Sequence, residues 1–441
     1  VESASDAAFI GLDLGTSGCR AIAVDTRGQE IAQARAGLPA PESPAPGHQE
    51  QDPELWWTAA QEVLGTLAEA LRGHAPRAIC VDATSATLLL AEPSGQPLGP
   101  ALMYSDQRAT EAARRVAEVA PPDSPARGPS AGLAKVMALA DRLRPGTSAM
   151  ALHQADWIAG KLCGGFGESD WNNALKTGFD PIRLSWPSWV PELLPREIQL
   201  PRVRAPGAQL GLLTPELAES LGMQGRIEVL AGTTDSTAAA IAAGAARPGD
   251  AVTSLGSTLV VKIVADRPIV ASRYGVYSHR LGDAWLVGGA SNSGGAVLRQ
   301  HFTDDEIRAL SAAIDPSTET GLGYYPLPGT GERFPRHDPG LKPALAPRPE
   351  TPDQFLQGLL EGIAAIEAEG YAKLAELGAP APTQVASLGG GSLNDAWTGI
   401  RARLLGVPVM AAAHQEAAYG AALLAMRARG TGALARASHP S

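Results

Sequence analysis

Cysteine is nearly missing: Cys19, Cys80 and Cys163 are the only three in 441 residues. They are too few and too scattered for a disulfide framework, and they fit a reducing cytoplasm. Cys19 and Cys80 lie in or beside apolar runs, where a buried structural thiol is expected. Charge is never concentrated. The formal net charge is −10, and no block of five or more like charges occurs, which argues against nucleic acid or an acidic membrane surface as partner. No apolar run approaches the ~18–20 residues of a membrane span. Val1–Ala8 is small and polar, without signal-peptide character, and reads as a loose lead-in; the tail after Arg429 reads the same way. Also missing are a G-x-x-x-x-G-K-[ST] loop, a G-x-G-x-x-G strand–helix turn and a G-x-S-x-G elbow, and the eight histidines show no metal-ligand spacing.

What is present is a chain with 44% hydrophobic and 19% charged residues, enough for an ample globular core. Its length predicts roughly two to three domains. Phe9–Asp25 reads as a β-meander whose first turn, Gly15-Thr16-Ser17-Gly18, is stripped of bulk. Backbone N–H groups in such a turn are free to face an anion. Asp13, at the end of the first strand, is placed to hold a hydrated Mg²⁺ against a phosphate. An ordinary hairpin with a solvated Asp accounts for the same residues.

Asp52-Pro53-Glu54 starts a helix with an N-cap, a proline at its first position and an acid in its first turn. Ala78–Asp82 is a buried strand, followed by the small-residue turn Thr84-Ser85-Ala86 and a second strand at Leu88–Leu90. A mixed sheet with a crossover follows from this order. A helix capped by Ser105 or Asp106 is expected next, then helices near Gly132–Leu143 and Gln154–Leu162. Glu228–Ala231 is a strand, Gly232-Thr233-Thr234 a turn, and Thr237–Ala246 an alanine-rich helix ended by Arg247-Pro248-Gly249, where the domain boundary falls. The second part opens on Thr253-Ser254-Leu255-Gly256-Ser257-Thr258, a short echo of Leu12–Ser17 with Ser254 in the place of Asp13. Later come the long helix Asp353–Leu377, the strand Gln384–Leu388, the turn Gly389-Gly390-Gly391-Ser392-Leu393-Asn394, and a helix carrying Trp397.

Three glycine/hydroxyl turns after strands, Gly15–Gly18, Gly256–Thr258 and Gly389–Asn394, point to a nucleotide held in an interdomain cleft. A tight strand–helix turn accounts equally for the third. Asp235, past a Gly-Thr-Thr turn, has two readings: a helix N-cap, or a general base that takes a proton from a substrate hydroxyl.

Gly11–Ser17, Gly232–Asp235, Ser254–Thr258 and Gly389–Asn394, in this order, resemble the FGGY carbohydrate kinases of the actin/sugar-kinase/heat-shock ATPase superfamily. The resemblance runs from about Phe9 to Arg427. It implies an α/β fold with two ribonuclease-H-like domains around a central cleft: residues 9–243 for sugar and catalysis, and 244–431 for ATP. It implies Asp235 as base and Asp13 as the Mg²⁺ residue. Thr16, Ser17 and Gly18 would lie at the transferred phosphate, with Gly256, Ser257 and Thr258 at the others. Gly390, Gly391, Asn394 and Trp397 would lie at the adenosine. Ser85 falls where relatives contact the sugar, and the small residues around it imply a reshaped pocket. Tyr104–Arg108 resembles a family W-x-D-x-R segment with Tyr in place of Trp, and a capping role for Asp106 fits as well. Details such as Asp170–Lys176 and Gly331–Pro335 look most like the compact D-ribulose kinase branch, labelled xylulose-kinase-like. The expected activity is ATP-dependent phosphorylation of D-ribulose, with D-xylulose or another ketose or polyol as alternative. A non-catalytic actin-like nucleotide-binding protein is the alternative of a different class. Oligomeric state is left open.

Overall fold

The computed structural model describes residues 6–429, so most of the loose lead-in and all of the tail expected past Arg429 lie outside the described residues. Ala7 and Ala8 correct the lead-in, because both are buried in the first strand. The chain forms two compact units. One is the chain up to Ala242 and again from Glu416; the other is Ala243–Gln415.

The first unit is built on a six-stranded sheet. Its strands are β1 (Ala7–Leu14), β2 (Gly18–Val24), β3 (Glu30–Gly37), β4 (Ala75–Ala83), β5 (Gln209–Leu212) and β6 (Glu228–Thr234), in the order β5-β6-β4-β1-β2-β3. The expected meander is there: β1, β2 and β3 pair antiparallel, while β4 runs parallel to both β1 and β6. The crossover to a parallel neighbour needs a helix to cover the sheet. That helix is α1 (Pro53–Ala70), with Asp52 accepting from Glu54 N at its N-cap as expected. It buries Trp56, Val63, Leu64 and Leu67 against β2 and β3. Leu88–Ala91 does not extend this sheet. It joins a separate five-stranded sheet, backed by α2 (Gly132–Ala140), whose Leu133, Val136 and Met137 are buried in the same apolar cluster as Leu88 and Leu102. The helix α3 (Gln154–Cys163) returns to the main sheet and packs on β4 and β6.

Two local expectations are corrected. Gly232-Thr233-Thr234 is not a turn but the end of β6, so the helix begins directly after it, at Asp235 rather than Thr237, as α4 (Asp235–Ala242). No helix is capped by Ser105 or Asp106. The next helix starts only at Thr110, because Asp106 is fully buried and accepts from Gln49 N at 2.6 Å and from the Arg108 backbone and guanidinium.

The second unit repeats the plan. Its strands are β7 (Asp250–Leu255), β8 (Leu259–Ala265), β9 (Tyr277–Leu281), β10 (Ala284–Ala290), β11 (Gln384–Leu388) and β12 (Val409–Ala411), in the order β9-β10-β8-β7-β11-β12. Again an antiparallel set leads to a first strand whose other neighbour, β11, is parallel. The helices are α5 (Gly295–Arg299), α6 (Pro352–Glu376) and α7 (Asp395–Leu405), with a further eight-residue helix at Asp304–Ser311. At the centre, Glu367 and Arg401 form a fully buried ion pair, Nε–Oε2 2.6 Å. Glu367 also accepts from the Thr253 hydroxyl, and Arg401 donates to the Ser387 hydroxyl. The pair thus ties α6, α7, β7 and β11 together, and full hydrogen bonding offsets its desolvation.

The last described helix, α8 (Ala417–Arg429), leaves this unit and packs on β1, β4 and α4 of the first. By contact α8 belongs with the first unit and not with Ala243–Gln415. The reason is backbone contact: a Cβ at Gly11 would lie 1.9 Å from Ala418 O, and one at Gly420 would lie 1.8 Å from Ala238 O. Glycine at these places lets α8 lie directly on β1 and α4. No helix among the described residues is long and apolar enough to cross a membrane.

Candidate active site

In the first unit the carboxylates converge through strand register. Asp13 of β1 pairs with Asp82 of β4, and Asp82 pairs on its other side with Thr233 of β6. These are the carboxyl ends of three neighbouring parallel strands, the edge at which open α/β sheets bind ligands. Asp235 follows directly as the first residue of α4, with its Oδ1 accepting from Ser236 N at 2.6 Å. Asp13 Oδ1 and both Asp82 oxygens are buried and accept no hydrogen bond. Two adjoining buried carboxylates do not both ionise, so at most one of the pair carries its charge. Burial pushes Asp13 up to about 6; the neighbouring Asp82 acid and the charge of Arg20 oppose this, and the Asp235 charge adds to it. Burial, then the charge of Asp13, pushes the fully enclosed Asp82 well above the ordinary carboxylate range. Asp82 was not singled out from sequence. Its signal was a buried strand ending in Asp-Ala, in register with Asp13-Leu14.

This donor set fits a hard divalent ion that keeps waters and substrate oxygens, such as Mg²⁺. It is too small for an all-protein cage, and the described residues contain no cluster of three acidic, His or Cys side chains that could form one. The adjacent turn is held by Gly15 N donating to Gly18 O at 3.0 Å. Thr16 is half-buried and Ser17 exposed. Gly18 belongs to β2, where a Cβ would sit 2.9 Å from Ala36 O, so strand pairing by itself requires that glycine.

Behind the carboxylates lies a buried polar band. Thr84 Oγ1 donates to Gln154 Oε1 (2.9 Å), and Asn172 Nδ2 donates to Thr233 Oγ1 (3.0 Å). Ser85 Oγ, Gln154 Nε2 and Asn173 Oδ1 are buried without partners, a polar set that a polyhydroxylated ligand would satisfy. Asp170 organises this band by accepting from Asn172 N, Asn173 N and Asn173 Nδ2. Burial, then the charge of Asp156, lifts Asp170 from 3.8 to about 7 against those three bonds. Between these two values the folded state holds a proton that the unfolded chain has released. Asp170 therefore favours folding at low pH, and this contribution is lost as pH rises through about 7. In urea titrations of Asp170→Asn, the wild-type-minus-variant stability is expected to decline between about pH 4 and 7, by at most ~1.4 kcal/mol per pH unit. A flat difference would overturn this reading.

The second unit contains a cavity of about 730 Å³. The turn Gly256–Ser257, Arg299, Gly390, Gly391, Asn394 and Trp397 all contribute to its wall. Ser254 stands where the first unit has Asp13, and its parallel partner is Leu388 rather than a second acid, so the carboxylate pair is not repeated. Arg299 Nη2 donates to Ser257 Oγ at 2.9 Å. The chain lies close enough over this turn that a Cβ at Gly294 would be 2.7 Å from the Thr258 carbonyl carbon. Gly390 has open space around it, whereas a Cβ at Gly391 would fall 2.5 Å from the Trp397 ring. Gly391 thus seats the tryptophan. Asn394 caps α7 through Oδ1 and ties to Ser311 Oγ through Nδ2. Trp397 is buried with its indole N–H unpartnered. Arg299 and the Gly294-Gly295 pair were not singled out from sequence; the double glycine after a strand was their signal.

The family model described as FGGY family of carbohydrate kinases, N-terminal domain, matches residues 8–125, and its C-terminal counterpart matches residues 251–429. The chain is 30% identical to a glycerol kinase of Gloeobacter violaceus over 92% of its own length and 85% of the relative's. It is 27% identical to the xylulose kinase of Escherichia coli K12, covering 90% of this chain and 85% of that one. Among solved structures, a xylulose kinase from Rhodospirillum rubrum superposes with a TM-score of 0.84 at 26% identity, over 96% of this chain and 90% of that one.

Proposed function

Because the chain belongs to the FGGY family of carbohydrate kinases, and is therefore an ATP-dependent phosphotransferase, we propose that it phosphorylates a pentulose, D-ribulose, at its terminal hydroxyl. The observation that carries the reading is the trio Asp13, Asp82 and Asp235 at one strand edge, beside a band of unpartnered polar atoms. In this reading Asp235 takes the proton of the attacking hydroxyl, and Ser85 contacts the sugar. Thr16, Ser17 and Gly18 face the transferred phosphoryl group. Gly256, Ser257 and Thr258 face the remaining phosphates. Gly390, Gly391, Asn394 and Trp397 hold the adenosine, with the indole N–H of Trp397 as a free donor. Asp13, kept in place by Asp82, holds Mg²⁺, which when bound neutralises charge on the phosphoryl oxygens.

The small side chains of Thr84-Ser85-Ala86 support a ketopentose, because they leave room where a bulkier contact residue would crowd the sugar chain. D-xylulose is the second reading, favoured by the relatives that bear that name. Family membership sets aside the non-catalytic scaffold. A coupled ADP-release assay across D-ribulose, D-xylulose and glycerol tests the choice. The highest kcat/KM is expected for D-ribulose, and a higher value for either of the others overturns the substrate assignment.

A further inference from the structure

Lys135 is fully buried in α2 and has no carboxylate within ion-pair distance among the described residues. Its Nζ donates to two backbone carbonyls from different loops, Ala86 O at 2.9 Å and Met103 O at 2.7 Å. The first loop, Thr84–Thr87, follows the strand that carries Asp82. Ala86 is held in the left-handed region at φ 67°, which an alanine adopts only when its surroundings impose it. Thr84 and Thr87 bridge hydroxyl to hydroxyl at 2.6 Å across that strained residue. The second loop, Met103–Asp106, carries Tyr104, a residue that is 47% exposed. A second tie joins the loops: Tyr104 N donates to Thr87 Oγ1 at 2.9 Å.

A lysine buried without a counter-ion costs stability, and an apolar side chain of the same length would fill the space at less cost. What Lys135 supplies that such a chain cannot is two converging N–H bonds. Burial, with Lys176 and Arg108 adding to it and Asp106 opposing, pushes the amine down to about 7. A neutral amine still has two N–H groups, so both carbonyls are served in either protonation state.

We propose that Lys135 is a positioning residue for sugar recognition, locking the loop that carries Ser85 to the loop that carries Tyr104 so that both side chains are presented to one substrate. This rests on the sugar-kinase reading of the first unit. Ser85 Oγ is buried and unpartnered beside the locked Ala86. Freeing either loop would move the hydroxyl and the ring relative to each other.

The test uses the full chain with Lys135→Met. Sugar KM is expected to rise by about 10-fold or more while ATP KM stays within about 2-fold, and the preference among pentuloses is expected to shrink. A merely structural lysine would alter stability and leave that split unmoved. A folded Lys135→Met enzyme with unchanged sugar KM, or with both KM values raised alike, overturns the proposal. Should Lys135→Met fail to fold, Thr87→Val keeps the lysine and removes the second tie between the loops, together with the Thr84–Thr87 bridge inside the first. A smaller rise in sugar KM is then expected, and no rise overturns the proposal. Ser85→Ala separates the two readings. Unchanged sugar KM there, with a raised value in Lys135→Met, removes Ser85 from the sugar site and leaves the lock standing through Tyr104.

Discussion

Asp235→Asn is expected to lower kcat by at least ~10²-fold, the scale of a lost general base, while the protein folds as well as before. The substitution keeps the shape of the side chain and an oxygen to accept from Ser236 N, so the start of α4 is undisturbed. It also removes one charge beside the Asp13–Asp82 pair. The Asp235 charge raises both Asp13 and Asp82, so its loss relieves repulsion. Thermal stability should therefore hold or rise as turnover falls, the pattern of a residue kept for chemistry at the expense of stability. ATP binding should stay within about 2-fold, since binding without chemistry is retained when only the base is lost. The cavity lined by Gly390, Gly391, Asn394 and Trp397, which we propose holds the adenosine, lies wholly within the other unit. Steady-state kinetics, calorimetric ATP binding and a melting curve read the three quantities. Near-normal turnover in this variant would end the assignment of Asp235.

Much of this architecture was legible because it rests on local chemistry. Alternating apolar runs closed by small-residue turns gave β1 to β3, and Asp52-Pro53 gave the start of α1. The echo between Leu12–Ser17 and Thr253–Thr258 marked the start of each half, and the structure adds that the two sheets share one plan, each with its first strand between an antiparallel and a parallel neighbour. What escaped depends on partners remote in sequence. Asp82 sits in a strand that reads as plain core; only its register against Asp13 makes it one of a pair. Lys135 lies on a helix expected near Gly132–Leu143, but its acceptors are 49 and 32 residues away. The return of α8 to the first unit turns on Gly11 and Gly420, whose need for bare backbone appears only once the elements are packed. Asp106 looked like a cap because acids before a helix commonly are. Its commitment to Gln49 N and Arg108 is a tertiary matter.

The sharpest statement about the carboxylate pair is an order of effects. Asp82, wholly enclosed and pushed well up by burial and the Asp13 charge, is the acid of the pair, which leaves the charge to Asp13, whose unpartnered Oδ1 is the oxygen we propose for the cation. Asp13→Ala removes that oxygen and strands the acid of Asp82. It is expected to cut kcat by at least ~10²-fold and to raise the Mg²⁺ concentration needed for half-maximal rate, while sugar KM changes by no more than about 3-fold. Asp82→Asn behaves differently, because an amide is as neutral as the protonated acid it replaces. Its loss in kcat should be at least about 10-fold smaller than that of Asp13→Ala, with a smaller change in Mg²⁺ requirement. Titrating Mg²⁺ at saturating sugar and ATP for both variants measures the order. If Asp13→Ala keeps the wild-type Mg²⁺ dependence, Asp13 is not the cation residue. If Asp82→Asn is the more damaged of the two, the proton does not reside on Asp82, and the roles within the pair are reversed.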